Sequence, residues 1–236
     1  MSTTVWLITG ANRGLGLELT IQLLATNPAN EIIATCRNPA DADELHRLQK
    51  LANERIHIVP LDVSSEQSMR GSVQYVSDVL GERGIDYLYN NAAINPAFDS
   101  PFDFDYAQLL DVLQTNLGAP ALLAELYYPF LLRGTKKTIV NVTTGLASIG
   151  LDCGDKCTSY SISKCALNML TYKQAKTRPD FTCICMDPGW VKTALGGEGA
   201  VLETTESAAG ILRVIARLTP ADSGKFWRYN GTHHPW

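Results

Sequence analysis

Tyr160-Ser161-Ile162-Ser163-Lys164 is the segment best suited to chemistry in this chain. Positions i and i+4 share one face of a helix, so the phenol and the ammonium point the same way. An unperturbed tyrosine ionises at about 10. A neighbouring ammonium favours the phenolate and lowers that value. Tyr160 is then expected to give a proton to a substrate oxygen, or take one, near neutral pH. Such pairs also arise by chance on solvated helix faces, so the remaining motifs must decide.

The second chemical signal lies near the start. Val5-Trp6-Leu7-Ile8-Thr9 reads as a strand and runs into Gly10-Ala11-Asn12-Arg13-Gly14-Leu15-Gly16. Glycines there allow a tight turn and let the backbone approach a pyrophosphate, and the helix that follows offers free N–H groups to the anion. An ordinary glycine-rich turn is the alternative. About 20 residues further on, an NAD site places an acid against the ribose 2′-hydroxyl. Here the chain reads Ala34-Thr35-Cys36-Arg37, without an acid. Arg37 and Arg13 are expected to clamp a 2′-phosphate instead, which selects NADP(H). Asp62 and Val63, just past the third strand, are placed to cap an adenine.

These residues need a frame. Strand-like runs at Val5–Thr9, Glu31–Cys36, Ile56–Val59, Asp86–Tyr89, Thr138–Val142, Phe181–Met186 and 225–228 alternate with helical stretches. The helices are read at 14–26, 41–53, Ser65–Leu80, 104–132, 158–177 and 204–218. Several strands are apolar on both faces, as in a parallel sheet covered by helices on each side. The expected fold is α/β, a single-domain doubly wound parallel sheet of the Rossmann type over residues 1–236. Ligands in such sheets sit beyond the carboxyl ends of the strands, so the loops at 94–103, 146–157 and 189–203 should surround the site. Within the long helix, Pro120 has no N–H for the carbonyl of Asn116. That carbonyl is then free to accept from water, and a kink is expected there.

Taken together, Thr9-Gly10-x3-Gly14-x-Gly16, Asn90-Asn91-Ala92-Ala93, Asn116, Tyr160-x3-Lys164 and Pro188-Gly189 resemble the short-chain dehydrogenase/reductase family in order and spacing. Gly145-Leu146-Ala147-Ser148, Pro188-Gly189-Trp190-Val191-Lys192-Thr193 and the Gly224…Asn230-Gly231…Pro235-Trp236 ending resemble its carbonyl-reductase branch, which includes sniffer and C-factor-like proteins. The resemblance implies Tyr160 as general acid/base and Lys164 as the residue that holds the nicotinamide ribose. It implies Asn116 as the holder of a relay water and Asn91 as a neighbour of the nicotinamide. Pro188 and Val191 would lie by the nicotinamide carboxamide and Thr193 near the phosphates. The implied reaction is reversible hydride transfer between NADPH and a ketone, aldehyde or quinone. A dinucleotide-binding sensor with little catalysis is the alternative.

Two positions depart from the family pattern. Ala93 stands where the pattern has glycine, which would strain a backbone of positive φ. Thr144 stands at the catalytic serine position; it keeps the hydroxyl, and its methyl stiffens χ1. Thr143 and Ser148 are alternative hydroxyl donors.

The 236 residues carry 20 Lys and Arg against 24 Asp and Glu, a formal net charge of −4. Without a basic stripe, a nucleic-acid partner is not expected. No apolar run reaches the roughly 18 residues of a membrane span, and Met1-Ser2-Thr3-Thr4 has no signal-peptide character. A cytoplasmic protein is therefore expected. Six scattered cysteines are read as free thiols, and no metal site is expected: Cys153 and Cys157 lack partner ligands, and so do His233 and His234. Trp190 is read as pocket wall or plain packing. Phe98, Phe102, Phe104 and Tyr106 are read as a pocket rim or an anchor for the long helix, and Gly196–Gly199 as a lid or a plain loop. A homodimer or homotetramer is expected through the 104–132 and 158–177 helices. Leu122, Leu123, Leu126, Leu167 and Leu170 would serve that interface or the core.

Overall fold

The computed structural model describes residues 3–96 and 98–236. Met1 and Ser2 of the Met1-Ser2-Thr3-Thr4 start and Ala97 of the 94–103 loop lie outside the described residues. Seven strands form one parallel sheet: β1 (Thr4–Thr9), β2 (Asn30–Cys36), β3 (Ile56–Pro60), β4 (Tyr87–Asn90), β5 (Thr138–Val142), β6 (Thr182–Asp187) and β7 (Phe226–Arg228). Their order is β3-β2-β1-β4-β5-β6-β7. The order reverses between β1 and β4, which opens a crevice at the carboxyl ends of the strands. Along β1, Trp6 and Ile8 enter one apolar cluster while Val5 and Leu7 enter the other. Both faces are thus buried, and each is covered by helices.

The covering helices are α1 (Gly14–Thr26), α2 (Asp43–Leu51), α3 (Glu66–Leu80), α4 (Tyr106–Leu113), α5 (Ala119–Leu126), α6 (Tyr128–Arg133), α7 (Thr158–Thr177) and α8 (Thr204–Ile215). The helix expected over 41–53 begins as a 3-10 turn at Pro39–Asp41 before α2. The 146–157 loop holds two 3-10 turns, Gly145–Ala147 and Ile149–Leu151.

The long helix expected over 104–132 is not continuous. Between α4 and α5 the chain winds through a π turn, Gln114–Gly118, and α6 follows as a separate short helix. The missing Pro120 N–H is absorbed by wider winding instead of a simple kink. Of the two roles open to the leucines, interface or core, four fall to the core. Leu123 and Leu167 are fully buried, and Leu122 and Leu126 pack on the core. The exposed apolar side chains of α7 are Ile162, Met169 and Tyr172.

One buried carboxylate ties the sheet together ahead of β4. Asp86 is 4% exposed. Its Oδ2 accepts the Val5 N–H, and its Oδ1 accepts the Thr135 N–H, the Thr135 hydroxyl and the Lys136 N–H. Asp86→Ala would strand all of these donors. It is expected to cost at least about 3 kcal/mol, seen as a lower denaturant midpoint at unchanged m-value.

Candidate active site

The crevice at the reversal point is floored by the Gly10–Gly16 turn. Gly10 and Gly14 take φ of +66° and +55°, where a side chain would be strained. A Cβ on Gly16 would collide with the Gly10 carbonyl oxygen and come within 2.8 Å of Asn91 Nδ2. Asn91 holds the turn from below: its Nδ2 donates to the Thr9 and Gly10 carbonyls at 2.9 and 3.3 Å. Thr9 Oγ1 in return accepts the N–H groups of Asn91 and Ala92. Ala93 takes no positive φ, so the alanine is accommodated without strain.

Helix α1 starts at this turn with Arg13 as its N-cap, no side-chain cap and no acid in the first turn. Its first N–H groups are thus left for an anion. Thr193, far along the chain, lies against the same turn, its Cγ2 being 3.2 Å from where a Gly14 Cβ would stand. Asn12 is half-buried in the loop and Leu15 is buried. Arg13 and Arg37 are both exposed, and Arg37 Nε lies 4.0 Å from Asp62 Oδ2. Asp62 Oδ1 also accepts from the N–H and hydroxyl of Ser64. Burial would raise the Asp62 carboxyl; these bonds and the Arg37 charge outweigh it and hold it low. Val63 packs against the core, with part of its side chain exposed.

Beyond the turn, Tyr160 and Lys164 are 8% and 2% exposed on α7. The Lys164 Nζ donates to the Val142 carbonyl at 2.8 Å and sits 5.9 Å from the Tyr160 ring centroid. The expected lowering of the Tyr160 pKa is not found. Burial pushes the phenol well above its ordinary value, and the neighbouring Asp187 carboxylate and Cys157 add to that. Burial likewise pulls the Lys164 ammonium down to about 7. Desolvation disfavours both charged forms here, and the ammonium is aimed at a carbonyl rather than at the phenol.

Asn116 is fully buried in the π turn. Its Oδ1 accepts the Ile94 N–H, and its Nδ2 donates to the Ile94 carbonyl and to Ser163 Oγ. The side chain therefore ties the strand extension after β4 to α7, one turn from Tyr160. The three candidate hydroxyls after β5 separate cleanly. Thr143 is buried and donates to Asn168 Oδ1 at 2.7 Å, under α7. Ser148 donates to the Pro235 carbonyl and accepts the Leu151 N–H. Thr144 is half-exposed and accepts only the local Leu146 N–H at 3.3 Å. It is the hydroxyl left to meet a ligand.

On the other side, the Pro188 carbonyl accepts the Ser207 hydroxyl, and Val191 bridges to Leu202. Trp190 is 53% exposed, and its Nε1 donates to the Gly196 carbonyl. The 196–199 loop is thus folded onto the indole. Phe98, Phe102, Phe104 and Tyr106 are all exposed, so they do not anchor α4; Asp105 caps that helix through the Gln108 N–H.

The fold is shared with known proteins. Residues 4–200 match the family model described as short chain dehydrogenase. The chain belongs to that family. Carbonyl reductase Sniffer of D. melanogaster superposes with a TM-score of 0.92 at 31% identity, covering 100% of both chains. The NADPH-bound carbonyl reductase from chicken fatty liver gives a TM-score of 0.90 at 33% identity, again over 100% of both. The C-signal protein of Myxococcus xanthus is 34% identical over 154 residues, 64% of this chain and 93% of that protein. An uncharacterized oxidoreductase of Schizosaccharomyces pombe is 28% identical across 100% of both chains.

Within this oxidoreductase family the chain carries one feature that the motifs did not signal. His234, which the sequence offers only as a metal ligand without partners, donates from Nε2 to Asp187 Oδ2 at 2.7 Å. Its neighbour His233 packs its ring on Trp227 instead. The hint in the sequence was an acid directly before Pro188-Gly189. All six cysteines are free, and Cys153 is exposed while Cys157 is buried. Among the described residues no helix is long and apolar enough to cross a membrane.

Proposed function

We propose that this protein is an NADPH-dependent carbonyl reductase that acts on ketones, aldehydes or quinones. The observation that supports the reading is an uncapped α1 N-terminus behind the Gly10–Gly16 turn after β1, together with Thr144 directly after β5 and Lys164 Nζ on the Val142 carbonyl at the end of that strand. The turn fits a dinucleotide: a Cβ would fill it at Gly16, and Thr193 closes it at Gly14. Gly10, Asn12, Arg13, Gly14, Leu15 and Gly16 would cradle the pyrophosphate, with Thr193 beside it. Arg37 and Arg13 would hold the 2′-phosphate, Asp62 and Val63 the adenine. Asn91, Pro188 and Val191 would line the nicotinamide side. Hydride chemistry comes from the bound nicotinamide.

The chain's own residues do the rest. Thr144 and Tyr160 donate to the carbonyl oxygen and stabilise charge as it develops there. Tyr160 would give that oxygen its proton, Lys164 would hold the ribose, and Asn116 would hold the relay water behind them. The protein is read as one catalytic domain over 1–236, cytoplasmic, working as a homodimer or homotetramer on a small-molecule substrate.

Titration with NADPH and NADH, followed by NADPH absorbance with a carbonyl and quinone panel, tests this. Turnover that Thr144→Ala weakens supports the reading and the use of threonine as the hydroxyl donor. Tight NADPH binding with no turnover across the panel favours the second reading, a dinucleotide-binding signalling protein, for which the similarity to C-signal speaks. Cofactor choice has its own test. Arg37→Asp is expected to weaken NADPH binding about tenfold or more and to leave NADH binding within a few-fold, because the 2′-phosphate loses its cation while the exposed 4.0 Å pairing of Arg37 with Asp62 contributes little. Equal losses for both would remove Arg37 from the cofactor site.

A further inference from the structure

His234 and Asp187 form a buried pair that the roles above do not use. Their side chains are 10% and 9% exposed, with Nε2 and Oδ2 2.7 Å apart. Asp187 ends β6, whereas His234 lies in the segment after β7. The carboxylate is shared. Its Oδ1 accepts the Gly189 N–H at 2.9 Å, and the Asp187 backbone carbonyl accepts the Tyr229 N–H at 2.8 Å. Around His234 the segment is tied down by its own N–H to the Phe226 carbonyl, by Ser148 Oγ to the Pro235 carbonyl, and by the Gly150 N–H to the Trp236 carbonyl. Both partners also lie beside the turn that carries Thr144. A Cβ on Gly145 would stand 3.6 Å from Asp187 Oδ2 and 3.8 Å from His234 Nε2.

We propose that His234 is a positioning residue of the reductase site and acts through Asp187. By holding the carboxylate, it fixes the Thr144–Gly145 and Pro188–Gly189 turns against each other and sets the charge that Tyr160 faces. The proposal rests on the reductase reading above. A buried carboxylate without a partner is costly and would swing or take up a proton. The imidazole N–H satisfies Oδ2 and keeps the carboxylate in one place. The charge reaches the phenol: after burial, Asp187 is the group that most raises the proton affinity of Tyr160. Cys157 ahead of α7 and Lys164 on α7 are the other titratable groups facing Tyr160, and Arg228 on β7 is the register partner of Asp187.

The test is a cycle of wild type, His234→Leu, Asp187→Asn and the double variant, with His234→Gln added. His234→Leu is expected to lower kcat about tenfold, with substrate KM changing less than about threefold. His234→Gln keeps an N–H near the Nε2 position and should recover most of the loss. With Asp187→Asn already in place, His234→Leu should cost little more, because the two act as a unit. Asp187→Asn should also move the pH profile of alcohol oxidation to lower pH, since removing the negative charge makes Tyr160 easier to ionise. Additive losses, or an unchanged kcat in His234→Leu, would overturn the proposal. So would a lower Tm with kcat, KM and pH profile unmoved, the signature of a purely structural latch. If the wild type turned over no carbonyl, the reductase reading would fail on its own. The same cycle read on NADPH Kd would then decide: about fivefold weaker binding in His234→Leu, non-additive with Asp187→Asn, supports positioning of the Pro188 turn, and no change refutes it.

Discussion

Tyr160→Phe is expected to reduce kcat for carbonyl reduction by about a thousandfold while NADPH affinity changes less than about threefold. The substitution removes one oxygen and leaves the ring. The ring packs in a position that is 8% exposed, so the fold should tolerate the phenylalanine. What is lost is the hydroxyl proposed as the proton donor. Burial keeps the phenol protonated, with Asp187 and Cys157 adding to the effect, so it stands ready as an acid in the reductive direction over the ordinary pH range. Equal kcat/KM for both proteins across the panel would take the proton from another source and end the assignment. NADPH binding by fluorescence and a thermal melt, run on the same preparations, separate loss of chemistry from loss of fold.

Lys164→Met should remove turnover, by about a hundredfold or more, and at the same time raise thermal stability. Lys164 is 2% exposed, and its Nζ donates to the Val142 carbonyl at 2.8 Å. Burial pulls the ammonium from its ordinary 10.5 down to about 7. Between those two pH values the unfolded chain holds a proton that the fold does not, so wild-type stability rises with pH across that window. Below about pH 7 the group is charged in both states, and its burial costs on the order of a few kcal/mol. Methionine has similar length and no charge to desolvate. The variant's advantage should therefore be largest at about pH 6 and shrink toward about pH 10, as melts at a series of pH values would show. A lower Tm at about pH 6 would mean that the Val142 hydrogen bond outweighs the burial cost.

Much of the frame could be read from the chain because each strand carries its own signal. Val5–Thr9 and Thr182–Asp187 are buried on both faces, and apolar runs of that length bounded by glycine or proline have few other homes. The glycine turn was legible because its backbone demand falls on particular residues. The long helix was only half legible. Pro120 announced a disturbance, but whether the chain kinks or winds wider is decided by α3 and α7 packing on either side. The leucines of α5 and α7 show the limit of periodicity, which finds an apolar face without saying what covers it. The acidity of Tyr160 was misjudged for a related reason. Helical spacing puts Lys164 on the right face, yet the reach of a flexible side chain and the dryness of the site are tertiary facts. The Asp187–His234 pair joins residues that have no local relation at all.

The π turn at Gln114–Gly118 holds one residue more than the α winding would need. One residue is about 100° of helix rotation. Helix α4 presents its face to α7, whereas α5 presents its face to α3. Without the extra residue those two faces would be out of phase, and one of them would turn its apolar stripe to water. The turn is thus a phase shifter between two packing partners, and Asn116 sits at the point of slippage. A drift in sequence that shortened this turn would be felt first in the pairing of the helices, and only through them in chemistry. The length of the segment, more than the identity of its neighbours, is the quantity that selection would have to hold constant.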